Sequence, residues 1–248
     1  MSENTAYNPG QIESNYPLGS ENYYWFVARN RVLERAIRSV HADGAIFDVG
    51  CGRGFTLAHL IAHGFDAWGS DLADYGTPHP RAMGRVFYRE PLAQLDAALR
   101  HRVTTILLLD VIEHLPQPAE IVAMARAAFP NLRRVIVTVP ARTEIWSNYD
   151  EYFGHFRRYD QPALREWARV ANLEVGRLSY FFHALYWPAW VVARTTRRRS
   201  TTVQVPRWPA LHQALGGALA LEAALLPSGW RGSSLLGIFY THPESPNP

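Results

Sequence analysis

The chain has 248 residues, of which 48% are hydrophobic and 19% charged, a balance that excludes a disordered protein and is ample for a large globular core. The net charge is only +3 and every Lys/Arg position is arginine, so composition does not point to nucleic acid, which needs cations gathered on one face. The single cysteine, Cys51, excludes an internal disulfide framework and fits a reducing compartment.

Residues 1–20 are rich in Asn, Ser, Gly and Pro without periodicity, lack the apolar stretch of a signal peptide, and read as a flexible arm. With no apolar run long enough for a membrane span, a cytoplasmic location is the expectation. A helix is expected over 21–40, with Trp25, Phe26, Val32, Leu33 and Ile37 on its apolar side, ended by the turn at 41–44. Strands then alternate with helices: strands at 45–49, 66–70, 85–88, 104–109 and 133–139, helices at 55–63, 92–100 and 119–128. A helix at 162–171 and strands at 174–182 and 234–241 complete the series. This order implies an α/β fold with a doubly wound, seven-stranded, mainly parallel sheet. The last two strands are separated by far more than a hairpin needs, so 183–231 is read as a helical cap inserted into a domain formed by 21–182 and 232–242.

The chemistry concentrates in Ala45-Ile-Phe-Asp48-Val-Gly50-Cys51-Gly52-Arg-Gly54-Phe55. A strand ends near an acid and breaks into three glycines at alternate positions before a helix, the usual cofactor site of an open α/β sheet. A dinucleotide fingerprint would require glycine where Phe55 stands, which argues against a nicotinamide oxidoreductase.

The G-x-G-x-G order with Asp48 two residues ahead resembles motif I of the class I S-adenosylmethionine-dependent methyltransferases, in a bacterial small-molecule or glycan-pathway type. The resemblance extends to Asp71, nineteen residues after Gly52, and to Leu108-Leu-Asp110-Val111-Ile-Glu113-His114-Leu-Pro116. It implies a Rossmann-like methyltransferase fold with S-adenosyl-L-methionine as cofactor. In that reading Asp48, Gly50, Cys51, Gly52 and Gly54 form the cofactor loop, Asp71 with Leu72 meets the ribose, Glu90 is the weaker candidate at the adenine end, and Asp110 with Val111 lies beside the methionine part.

The resemblance further implies that the loop Tyr149-Asp-Glu-Tyr152-Phe-Gly-His155-Phe-Arg157-Arg158-Tyr159 covers an acceptor pocket. His155, with His114 as the alternative, is the candidate base, since a hydroxyl acceptor must lose its proton; a histidine that only ties the loop down is the competing reading. Tyr152, Arg157 and Arg158 are candidate substrate contacts, although at least one arginine should pair with Asp150, Glu151 or Asp160. Some O-methyltransferases of quinone biosynthesis and small-RNA 2′-O-methylation bind a divalent ion through E-x-x-E-H and a further histidine. Here the first position is Asp110, one methylene shorter, and no metal is expected. His59 and His63 match a metal pair in spacing but lack a nearby third ligand, and read as surface histidines.

Tyr23-Tyr-Trp25-Phe26-Val-Ala-Arg29-Asn-Arg31 resembles a W-F-x-x-R segment of bacterial methyltransferases, placing Trp25 either over the substrate or in helix packing. The insertion joins Tyr186, Trp187 and Trp190 to Arg194 and Arg197–Arg199, which would serve a pocket wall, a homodimer interface or peripheral membrane contact. The expected activity is O-methylation of a small or lipid-linked metabolite, a sugar, glycan precursor or secondary metabolite, with no nucleic-acid partner. The rival is a catalytically silent member that binds the cofactor as a scaffold.

Overall fold

The computed structural model describes residue 11 and residues 16–241; most of the expected arm lies outside the described residues. Seven strands form one sheet in the order β3-β2-β1-β4-β5-β7-β6. They are β1 (Ala45–Val49), β2 (Ala67–Asp71), β3 (Val86–Tyr88), β4 (Val103–Leu109), β5 (Arg134–Pro140), β6 (Leu173–Phe181) and β7 (Ser234–Thr241). The first five pair in parallel, and β7 runs antiparallel between β5 and β6.

Alternate residues of the central strands divide into two cores, as a period of two requires. Phe47, Ile106, Leu108 and Val137 pack with Phe129 and Trp167. Ile46, Leu107, Leu109 and Ile136 pack with Leu33, Leu57 and Leu60. Every residue of β4 is buried, the pattern of a strand covered on both faces. The second core is roofed by α1 (Tyr24–Ser39) and α2 (Phe55–Ala62), and the first takes its helical side chains chiefly from α4 (Glu120–Ala128) and α6 (Gln161–Val170).

The helix expected over 92–100 is instead a single 3-10 turn, Leu92–Gln94, followed by α3 (Ala97–Arg102). Asp96 restarts the helix by accepting the Leu99 N–H at 3.0 Å, an N-cap that breaks the expected single helix in two. Within the segment read as a loop, α5 (Asn148–Tyr152) is nucleated by a capping box between Ser147 and Asp150.

The insertion is two helices, α7 (His183–Arg194) and α8 (Pro209–Leu225). Pro188 lies inside α7, and α8 runs unbroken through Gly216 and Gly217. The two glycines are thus points of approach to α1, which explains glycine at positions where helix propensity alone disfavours it. A Cβ at Gly216 would stand 2.6 Å from Val27 Cγ1 and 2.9 Å from the Tyr24 carbonyl oxygen. We expect Gly216→Ala to part the two helices at a cost of about 1–3 kcal/mol, read as a lower midpoint in urea denaturation; an unchanged midpoint would show that this crossing is slack.

The arginine run is not a uniform cationic patch. The Arg199 guanidinium turns inward over the Tyr149 ring, 5.2 Å from its centroid, and the Arg199 amide donates to Asn148 at 2.7 Å. Among the described residues no helix is long and apolar enough to cross a membrane.

Candidate active site

The sheet order places the switch between β1 and β4, and the loops leaving the carboxyl ends of β1, β2 and β4 converge there, where open α/β sheets take their ligands. In the glycine loop Gly50 and Gly52 have φ of +87° and +56°, which a side chain would strain. A Cβ on Gly50 would also meet Val111 Cγ2 at 2.8 Å. Gly69, on β2, is a further requirement the sequence reading missed: a Cβ there would sit 2.8 Å from the Asp48 carbonyl oxygen and from Cys51 Cβ.

Asp71 is held at the end of β2 by two backbone donors, the Gly52 N–H at 2.9 Å to one oxygen and the Ala73 N–H at 2.9 Å to the other. Each oxygen keeps a lone pair for a further donor. Burial pushes its carboxyl up to about 6 against the pull of these amides. Cys51 is buried beside it, its thiol pushed up by the same desolvation. Leu72 is 54% exposed, and Glu90 follows β3 in a half-buried position.

Asp48 is buried, and its Oδ1 has no hydrogen-bond partner among the described residues. Burial first, then the nearby Asp71 and Asp110 carboxylates, push Asp48 up to about 7, opposed by Arg29. Arg29 is the residue that sequence reasoning left out of the site. It is buried on α1, donates to Asp110 Oδ2 at 2.6 Å and to Thr56 Oγ1 at 3.0 Å, and lies 4.8 Å from the Trp25 ring centroid. Asp110 has φ of +56°, an uncommon backbone for a non-glycine residue, as is found where strain serves a site. Trp25 itself packs against Phe182 and Phe26 on the inner side of α1.

Tyr16, placed in the arm by sequence, lies over the Gly52 turn against Phe26, Phe55 and Tyr75. Arg53 fastens it, donating to the Tyr16 and Tyr75 carbonyls at 2.9 and 2.7 Å. No local pattern could reveal this contact, because its partners come from three separate segments.

The second group of functional side chains lies past β4. His155 Nδ1 is 2.9 Å from Asp150 Oδ1. Asp150 is fully buried; it also accepts from Arg158 Nε at 2.7 Å, Arg158 Nη2 at 3.0 Å and the Ser147 amide at 2.9 Å. Although burial opposes ionisation, the His155 hydrogen bond and the Arg158 charge lead the interactions that hold Asp150 down at about 2. The His114 ring stands edge-on to His155 at 4.7 Å, and burial pushes His114 down to about 3 with His155 adding to the effect. Glu113 is fully buried with neither carboxylate oxygen partnered among the described residues, and burial drives its carboxyl well up.

The arginines are engaged by protein. Arg158 is buried on Asp150 and the Ala141 carbonyl, while Arg157 reaches the Pro116 carbonyl at 3.0 Å. Tyr152 is 40% exposed at the end of α5. The structure therefore brings together Asp48, the glycine loop, Asp71, Asp110 and Val111 as one cluster, and Glu113, His114 and His155 as its neighbour. Arg158 reaches this second group through Asp150, which also meets His155, and Arg157 donates to the Leu115 and Pro116 carbonyls that follow His114.

Comparison with solved structures gives the fold context. The chain is similar to a SAM-dependent methyltransferase from Archaeoglobus fulgidus, with 13% identity, TM-score 0.50, and coverage of 86% of this chain and 94% of that one. It is similar at 16% identity and TM-score 0.51 to the Burkholderia thailandensis 1,6-didemethyltoxoflavin-N1-methyltransferase with bound S-adenosylhomocysteine, covering 88% and 80% of the two chains. The [4+2]-cyclase SpnF matches at 12% identity and TM-score 0.52, covering 88% and 82%, so the fold alone does not specify the reaction. No curated protein matches the chain significantly. Residues 22–178, more than half of the chain and spanning both clusters, match the family described as "Methyltransferase domain", and the chain belongs to that family.

Proposed function

We propose that this protein transfers a methyl group from S-adenosylmethionine to a hydroxyl of a small or lipid-linked metabolite, a sugar, glycan precursor or secondary metabolite. The donor lies along the carboxyl ends of β1, β2 and β4. Asp71 receives the ribose diol on its remaining lone pairs, the glycine loop admits the nucleoside edge, and Asp48 and Asp110 face the cationic methionine end. The domain is 21–182 with 232–242, and 183–231 is its cap.

The observation that carries the acceptor side is the Asp150–His155 pair. A carboxylate held ionised by Arg158 can only accept, so the proton between them sits on His155 Nδ1. His155 Nε2 is then the basic nitrogen, available to take the acceptor's proton as its oxygen attacks the methyl carbon in line and the sulfonium carbon–sulfur bond breaks. Alignment of the two substrates supplies most of the remaining catalysis. The cap exposes Trp187, Trp208 and Trp230, which supports an apolar or lipid-linked acceptor arriving there without nucleic acid; a homodimer across the same rings is the competing use.

Methyl transfer from labelled S-adenosylmethionine to metabolite fractions tests the reading. We expect His155→Asn to lower kcat by about 10²–10⁴ with S-adenosylhomocysteine affinity unchanged. Full activity in that variant removes His155 as base, and cofactor binding with no transfer to any fraction favours the silent scaffold.

A second reading is favoured by Glu113. Its buried carboxylate, unpartnered among the described residues, and the His114 and His155 nitrogens lie within 4.8 Å of one another, a donor set suited to a divalent ion that would polarise the acceptor oxygen. Activity that survives chelation supports the first reading, and activity restored only by added Mg²⁺ or Mn²⁺ supports the second.

A further inference from the structure

At the far end of α2 from the glycine loop, the structure supplies the third ligand that the local sequence lacks. Glu34, on α1, faces His59 and His63, one turn apart at the end of α2. His59 Nε2 is 2.9 Å and His63 Nε2 3.7 Å from the same carboxylate oxygen, Glu34 Oε2. Four ligands held tetrahedrally about 2.0–2.1 Å from zinc are about 3.3–3.4 Å apart, and the two observed separations bracket that value. The three ligand atoms all lie within 4.8 Å of one another.

The surrounding contacts orient this set as metal ligands are oriented. His63 Nδ1 is 2.7 Å from the His59 carbonyl oxygen, which can only accept, so Nδ1 carries the proton and Nε2 presents a lone pair. His63 Nε2 stands 3.7 Å from Glu34 Oε2, too far to hydrogen-bond, and a metal ion bonded to both atoms would also displace the proton that His59 Nε2 shares with the same oxygen. Arg38 Nε donates to the other Glu34 oxygen at 2.9 Å, leaving Oε2 turned to the histidines. A backbone carbonyl behind one imidazole and a guanidinium behind the carboxylate are the partners that commonly fix ligand orientation. The imidazole rings stack at 4.2 Å, and the group lines a cleft of about 820 Å³ with Arg31, His79 and Arg81.

We propose that Glu34, His59 and His63 form a binding site for a divalent transition-metal ion of the zinc type, with its fourth position open to the cleft. Two imidazoles and one carboxylate suit zinc in preference to magnesium or calcium, which favour all-oxygen shells. The ion would clip α1, which carries Arg29, to α2, which begins where the glycine loop ends. The site is separate from the Glu113 cluster and independent of the methyl acceptor.

Equilibrium dialysis of the metal-free full chain against Zn²⁺, with Mg²⁺ as a control, tests the site. His59→Gln with His63→Gln should remove one bound Zn²⁺ per chain, or weaken it at least about 100-fold, a loss at or beyond the upper end of outer-shell effects. His155→Asn should leave that ion in place. Zn²⁺ should raise the melting temperature of the wild type, and the double variant should melt like the wild type in chelator but lose the Zn²⁺-dependent rise. Wild-type Zn²⁺ stoichiometry and affinity in the double variant, or no Zn²⁺ binding by the wild type, would overturn the proposal and leave the contact as a hydrogen-bonded trio.

Discussion

Arg29→Met should destabilise the protein by about 3–5 kcal/mol, the usual result of removing one member of a buried ion pair. The guanidinium is buried between Asp110, 2.6 Å away, and Thr56, and it is the charge that most opposes the upward push on Asp48. Methionine fills much of the volume and keeps contact with Trp25 but leaves Asp110 without its cation. Arg29→Lys should fall between, because an ammonium can meet Asp110 but cannot also reach Thr56 as a planar fork does. Adding Asp110→Asn to Arg29→Met should restore part of the loss, since the neutral amide no longer demands a counter-charge. Urea denaturation of the four proteins gives the answer: a loss below about 1 kcal/mol in Arg29→Met would show the pair to be well solvated. If Asp110 faces the methionine end of the donor, S-adenosylhomocysteine affinity should fall with it.

Arg29 also marks the boundary of what the sequence could reveal. The central strands β1, β4 and β5 were legible because each is a short, mainly apolar run between helices or turn signals, and the alternation of Ile46 with Phe47 and of Leu107 with Leu108 needs no tertiary knowledge. The glycine loop was legible for a similar reason, since its backbone demands are local, and Asp71 was implied by the methyltransferase resemblance that this loop carries. Arg29 and Asp110 are 81 residues apart, and Tyr16 meets Gly52 through distant rings and the Arg53 bond to its carbonyl. Neither pairing leaves a periodic trace. The histidines at 59 and 63 showed the spacing of a ligand pair, but their carboxylate comes from a different helix. Gly216 shows the same limit, because helix propensity alone disfavours glycine there whereas the close approach of α1 decides its role. Charge pairing was partly legible: an acid partner for one of the two loop arginines was expected, and Arg158 takes Asp150.

Asp48→Asn should make the ligand-free protein more stable at neutral and higher pH, by up to about 4 kcal/mol. A carboxyl raised from an ordinary 3.8 to about 7 corresponds to about 3 pH units at roughly 1.4 kcal/mol each. The sign follows from proton linkage. Between pH 4 and 7 the folded protein keeps a proton on Asp48 that the unfolded chain has released, so stability falls as pH rises through that window and levels off above it. Asp71, raised to about 6 by burial, contributes in the same direction over a narrower range. Asp150, held down at about 2, acts oppositely only as pH falls toward 2, whereas His114, held down at about 3 by burial, opposes Asp48 up to about pH 6.5, so the Asp48 contribution is read from the difference between variant and wild type. The variant lacks the Asp48 contribution, so the two proteins should match near pH 4 and diverge as pH rises, a difference readable in urea midpoints from pH 4.5 to 8. Equal pH slopes would mean that Asp48 is already ionised and solvated. Under the proposed donor site the gain carries a penalty: the methionine ammonium would draw Asp48 into its ionised form, so wild-type binding of S-adenosylhomocysteine should release a proton near pH 6.5 and tighten as pH rises to 8. Asp48→Asn should bind more weakly at pH 8 and lose that pH dependence, giving the more stable protein the poorer hold on its cofactor.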